Sequence, residues 1–296
     1  MEEKEKFSLE MPKVGIIKGV LAKDIEITGD KSVNLRTCAR PYSNKYSVAQ
    51  LRAIKSVLET YGSGKVHLSP RHNLEIPEVG QKNIDSALRE LYTAGLFPGG
   101  AGTSVRNIFT CPDWCNKALR PVQEIGTMVS KNFGDWDMPN KVTISFAGCA
   151  NGCSRPECSD IGIKAVAKVK PTENLCPAGC SDCIEVCRFD ALEMKNGYIT
   201  VNDKCTDCGQ CLGVCDVLEA TQTGYRVTIG GKEGGSVRFG KLYADFVDEF
   251  TVIEIVDLVL SNYRDKVQLR PGSTRKNERI SEVIERVGLS SFMQRA

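Results

Sequence analysis

No stretch of this 296-residue chain approaches the ~20 consecutive apolar residues that span a bilayer, so no membrane-crossing segment is expected. The opening MEEKEKFSLEMPK mixes acids and bases and has no apolar run of the secretory kind. Charge excess is also missing. The 39 Lys and Arg nearly balance the 37 Asp and Glu, leaving +2 and no basic field for nucleic acid. No G-x-G-x-x-G follows a strand pattern, so reducing equivalents are expected from a separate donor, a flavoprotein subunit or a ferredoxin. Histidine is scarce, with His67 and His72 alone. Cysteine is the exception, at fourteen. With no secretory signal, that number points to a reducing cytoplasm and to metal chemistry rather than disulfides.

Twelve of the fourteen fall into three groups. Cys205, Cys208, Cys211 and Cys215 have the spacing C-x2-C-x2-C-x3-C, which wraps a 4Fe-4S cluster. Cys176, Cys180, Cys183 and Cys187 repeat it with one extra residue in the first gap. In two-cluster ferredoxins the fourth cysteine of each run ligates the other cluster. Cys215 is therefore expected with Cys176, Cys180 and Cys183, and Cys187 with Cys205, Cys208 and Cys211. Gly179, Gly209 and Gly213 give the backbone freedom near these ligands. Paired zinc sites are the alternative, but zinc usually joins two separate C-x2-C hairpins. The third group is split, with Cys111 and Cys115 in FTCPDWC and Cys149 and Cys153 in FAGCANGCSRP. Spacing alone leaves it open between zinc, a cluster and no metal.

Residues 1–13 read as an N-terminal arm, and an α+β pattern follows through residue 98. Val33, Leu35 and Thr37 alternate as in a strand. Ser47 and Gln50 form a capping box for a helix through Ile54, Val57 and Leu58. Short strands are expected at Lys65–Leu68 and Leu74–Ile76, and a helix at Asn83–Ala94. Beyond the PGGAGT loop come a helix over Ala118–Val129 and a strand over Lys141–Phe146. The eight-cysteine segment, residues 171–218, reads as an insertion into a larger domain made of 99–170 and 219–296. A strand at Arg226–Ile229 and helices near Val252–Tyr263 and Glu278–Val287 complete it.

GCANGCSRP, followed by DIG at Asp160–Gly162, resembles the siroheme and 4Fe-4S motif of the nitrite/sulfite reductase family. VHLSPRHNLEIPEV, SVRNIFTC and MPNKVTIS extend the resemblance. It covers residues 14 to 290 and is greatest toward the small ferredoxin-containing members, the catalytic subunit of anaerobic sulfite reductase and the archaeal dissimilatory-like enzymes. The implied fold is a sulfite-reductase-like α+β core. It comprises a ferredoxin-like half domain (14–98) and a siroheme/4Fe-4S domain, with the two-cluster ferredoxin domain inserted. The implied activity is six-electron reduction of sulfite to sulfide. Nitrite reduction to ammonia at the same site, or an electron-transfer subunit without siroheme, are the alternatives.

The resemblance implies siroheme and three 4Fe-4S clusters. Cys111, Cys115, Cys149 and Cys153 would hold the coupled cluster, with Cys153 bridging to the siroheme iron. The first pair is C-x3-C here, where the family usually has C-x5-C. Arg71, Arg106 and Lys141 match the family's anion-binding positions. Thr143 stands where sulfite reductases commonly carry a second lysine. Siroheme carries carboxylates, and Arg36, Arg40, Lys45, Asn151 and Arg155 are candidates to face it. A single copy of the core repeat implies a homo- or hetero-oligomer. Cys38 and Cys158 are left without a role, and His67 and His72 read as structural or pocket-lining.

Overall fold

The computed structural model describes residues 20–27, 30–39, 45–69, 73–98, 103–272 and 276–294. The chain divides into two units, one of Met1–Cys38 with Ser47–Ala101 and one of Ala39–Tyr46 with Gly102–Ala296. Among the described residues no helix is long and apolar enough to cross a membrane.

The first unit runs β1 (Val20–Ile27), β2 (Asp30–Ala39), α1 (Val48–Tyr61), β3 (His67–Leu68), β4 (Leu74–Gly80), α2 (Ile84–Thr93) and β5 (Leu96–Pro98). Its sheet has the order β1-β2-β4-β3, with β5 also on β2. The capping box opens α1 as expected. Ser47 Oγ accepts from the Gln50 N–H at 3.1 Å, and Gln50 Oε1 accepts from the Ser47 N–H at 2.9 Å. Ile54, Val57 and Leu58 then share the buried face of α1, and Ile84, Ala87, Leu88 and Leu91 that of α2. β4 runs four residues past its expected end at Ile76, to Gly80, beyond Pro77, which lacks the N–H of a ladder bond. A register shift opposite β2 absorbs it, and Glu78 takes φ 62° there.

The second unit holds β6 (Val105–Thr110), α3 (Gln123–Phe133), β7 (Val142–Ala147), β8 (Ile161–Pro171), α4 (Asp182–Val186), β9 (Leu192–Lys195), β10 (Tyr198–Val201), β11 (Leu218–Ile229), β12 (Lys241–Val247), α5 (Glu249–Lys266) and α6 (Ile280–Val287). Its main sheet has the order β12-β11-β8-β7-β6. β6, β7 and β8 are parallel, and β11 runs antiparallel to β8 and β12. β7 is buried on nearly every residue, as a parallel strand covered on both faces must be. α3 packs on β6 closely enough that a Cβ on Gly126 would lie 2.2 Å from Thr110 Cγ2.

The helix expected over Ala118–Val129 instead begins at Gln123. Pro121 biases its predecessor away from helical backbone. The N–H of Leu119 is committed to the Gly148 carbonyl at 2.8 Å, and that of Ala118 to Cys115 at 3.2 Å.

β8 and β11 form a long ribbon, paired from Ile161↔Ile229 to Pro171↔Leu218. Everything between its two ends, α4, the β9–β10 hairpin and a helical turn at Gln210–Gly213, hangs from adjacent residues. This lobe has its own small core of Cys183, Leu192, Ile199, Val217 and Leu218.

Candidate functional site

Cys187, Cys205, Cys208 and Cys211 line one apolar cavity, with Val169 and Leu192 behind them. Backbone donors point at the sulfurs. The Ala191 N–H donates to Cys187 Sγ at 3.4 Å, and the Asp207 N–H bonds Cys205. Burial, then the neighbouring Cys208, pushes the Cys211 thiol up to about 11. Thr206 lines the same cavity, and its buried hydroxyl has no hydrogen-bond partner. A buried hydroxyl left this way is costly in a finished site. An inorganic sulfide in the cavity would accept a hydrogen bond from it.

Cys176, Cys180, Cys183 and Cys215 form the second group. Burial and the adjacent Cys215 push Cys183 up to about 12, and Cys176 and Cys180 lie within electrostatic reach. The third group gathers at one end of the parallel strands. Cys111 follows β6 and Cys149 follows β7, and the Cys111 N–H donates to Phe146 O at 3.1 Å. Burial raises the Cys149 thiol, the Asn151 N–H lowers it, and Cys115, Cys111 and Cys153 raise it further. Cys153 is exposed. The turn between them needs left-handed backbone, with Gly152 at φ 58° and Arg155 at φ 56°.

In each group, burial and mutual repulsion disfavour the thiolates, and bound iron would relieve both. Among the described residues no three His, Cys, Asp or Glu side chains are placed as the ligands of one metal ion.

The expected cations are placed unevenly. Arg106 near the start of β6 and Lys141 just before β7 sit half-buried on neighbouring strands, at the opposite end from Cys111 and Cys149. Lys45 bonds Asp113 at 2.6 Å and lies 5.7 Å from the centre of the exposed Trp114 ring, between Cys111 and Cys115 in sequence. Arg155 is exposed and bonds Glu233 at 3.1 Å. Asn151 is exposed beside Cys149. His67 bonds Glu75 at 2.8 Å. Arg40, Arg71 and His72 lie outside the described residues, as do the side chains of Arg36 and Cys38.

Two residues had no local sequence signal. Arg279 pairs with the buried Asp160, which also holds Thr143. Lys164, on β8, forms an ion pair with Glu157. Arg279 lies 119 residues from its partner and Lys164 sits inside an apolar strand, so no spacing or motif announces either cation.

Three groups of four thiols on a mixed α+β scaffold fit the ligand sets of an iron–sulfur protein. Residues 101–296 match the family described as "Nitrite and sulphite reductase 4Fe-4S domain", and residues 28–94 match "Nitrite/Sulfite reductase ferredoxin-like half domain". The chain belongs to the nitrite and sulfite reductase family. It is 31% identical over 271 residues to a coenzyme F420-dependent sulfite reductase of Methanocaldococcus jannaschii, covering 90% of this chain. It spans only 42% of that relative's length. It is 25% identical to the dissimilatory-type sulfite reductase subunit beta of Nitratidesulfovibrio vulgaris, over 93% of this chain and 79% of the relative. The fold is shared with a crystal structure of dissimilatory sulfite reductase I, at TM-score 0.71 and 17% identity, covering 90% of this chain and 70% of that one.

Proposed function

We propose that the chain reduces sulfite to sulfide at siroheme, with electrons arriving through ferredoxin-type clusters of the inserted lobe. The observation that carries this reading is the arrangement of twelve cysteines in three facing groups of four, one of them at the end of the parallel strands. Cys111, Cys115, Cys149 and Cys153 would hold the siroheme-coupled cluster. Cys176, Cys180, Cys183 and Cys215 would hold one ferredoxin cluster, and Cys187, Cys205, Cys208 and Cys211 the other. Cys153, exposed where Cys149 is buried, would also help hold the siroheme. When bound, siroheme and its coupled cluster would pass the donor's electrons to the anion.

The chain's own cations do the rest. Arg71, Arg106 and Lys141 bind and orient the anion, and Lys141 holds a proton at Nζ for a departing oxygen; since Arg106 and Lys141 lie at the opposite strand end from Cys149, in this reading they serve the site of a second copy in the oligomer. Arg36, Arg40, Lys45 and Arg155, with Asn151, offset the carboxylates of siroheme. The reading includes a cytoplasmic setting, a separate electron-donor protein and an oligomeric assembly. Relatives named as sulfite reductases, one of them as a subunit, support it.

Nitrite reduction is the second reading, and Thr143 favours it. Its hydroxyl donates to Asp160 Oδ2 at 2.9 Å, so this position offers an anion no cation. The test is anaerobic turnover with a reduced dye donor, comparing kcat/KM for sulfite and nitrite and measuring sulfide and ammonium. Sulfide at the higher kcat/KM supports the first reading, and preferential ammonium production the second. No turnover of either anion by protein carrying all its clusters leaves an electron-transfer subunit.

A further inference from the structure

β8 sets the three thiol groups in order. Its Lys164 pairs in register with Ala147, two residues before Cys149. Three residues on, the Ala167 N–H donates to Asp207 O at 2.9 Å, inside the Cys205–Cys211 loop. The ribbon then ends at Pro171↔Leu218, with Cys176 and Cys215 five and three residues from that end in sequence. At ~3.3 Å per strand residue, the Cys187/205/208/211 group lies inward of the Cys176/180/183/215 group.

The inner group and the Cys149 group also share a packing neighbour. Leu119 donates its N–H to Gly148, next to Cys149. Its side chain presses on Gly209, next to Cys208, where an added Cβ would lie 2.6 Å from Leu119 Cδ2. Lys164, in register with Ala147, is half-buried, paired to Glu157, and opposite Arg226, whose guanidinium donates to the Thr206 carbonyl between Cys205 and Cys208.

We propose that Lys164 is a positive charge shared by the cluster sites of Cys111/115/149/153 and Cys187/205/208/211, stabilising the reduced state of both, and that Cys176/180/183/215 lies beyond its reach. The proposal rests on the cluster assignment above. Burial and the nearby Arg226 hold the Lys164 amine below its ordinary range, while Cys149 and Cys208 both act to raise it. A cluster gains negative charge on reduction, so an adjacent ammonium favours the reduced form. Glu157 opposes it.

The test is an EPR-monitored redox titration of the anaerobic holoenzyme, with the outer signal identified by its loss in Cys215→Ser. Lys164→Met should lower the potentials of two clusters and leave the outer one unmoved, and Lys164→Arg should restore them. Glu157→Gln should raise the same two. It leaves Lys164 in place, so it decides the matter if Lys164→Met does not assemble. Unmoved potentials with all three clusters present would overturn this proposal alone, as would a shift in the outer cluster. A wild-type protein without three titrating clusters would overturn it together with the functional reading.

Discussion

Arg279 and Asp160, 119 residues apart, make a buried two-point contact. Arg279 Nη2 lies 2.7 Å from Oδ1 and 2.8 Å from Oδ2, with the side chains 6% and 1% exposed. Asp160 Oδ2 also accepts the N–H and the hydroxyl of Thr143, each at 2.9 Å. The contact ties the start of α6 to the turn between the third thiol group and β8. The aspartate of the DIG triplet is therefore structural. It holds the end of the parallel strands at which β7 and β8 begin, opposite the end that leads to Cys149.

Arg279→Ala leaves a buried carboxylate without its partner. The expected cost is about 3–5 kcal/mol, read as a lowered urea midpoint. A loss below ~1 kcal/mol would show that the pair contributes little beyond a surface bridge.

Gly162 of the same triplet has no room for a side chain. A Cβ there would lie 2.0 Å from Pro156 O and 2.8 Å from Thr228 Oγ1. Gly162→Ala is expected to cost upwards of ~1–3 kcal/mol, because backbone rather than a flexible side chain must yield. A thermal midpoint equal to wild type would contradict the packing.

Glu278 gives the protein an acid-sensitive joint. Its carboxylate is 7% exposed and accepts from Arg286 at 2.9 and 2.7 Å, which holds it below its ordinary 4.5. A depressed folded-state pKa stabilises the fold above 4.5, and that part is lost as pH falls below it. Glu278→Gln should therefore lower stability near pH 7 and narrow the gap to wild type near pH 4. An equal gap at both values, by thermal unfolding, would contradict the linkage.

In the proposed assignment the two four-cysteine runs exchange their last members. Cys187→Ser and Cys208→Ser should abolish the same EPR signal, and Cys215→Ser a different one, each with loss of about one cluster's iron. If Cys187→Ser and Cys183→Ser instead remove one common signal, each run binds its own cluster.

Local chemistry made much of this legible. The two four-cysteine runs stand out by spacings of a few residues, the split Cys111/115/149/153 group only through its flanking motif, and α1 begins where Ser47 and Gln50 announce it. Long-range pairing was not legible. β8 is buried along its first seven residues save Lys164, yet its IGIKAVAKVKP reads as strand only once β7 and β11 flank it. β12 was missed for the same reason, since its half-exposed pattern gains meaning from β11. The helix start misread at Ala118 turned on Leu119, whose N–H goes to Gly148, a partner no helical period reveals. Asp160 announced itself through a motif, while Arg279 looked like any surface arginine.

The most direct test of the central claim is an anaerobic absorption spectrum of the purified protein with iron and acid-labile sulfide counts. The account predicts siroheme bands over the broad cluster absorption, with iron and sulfide for about three 4Fe-4S clusters. Cluster absorption without siroheme bands, even after reconstitution, would contradict the catalytic reading. Zinc in place of iron would contradict the cluster assignment altogether.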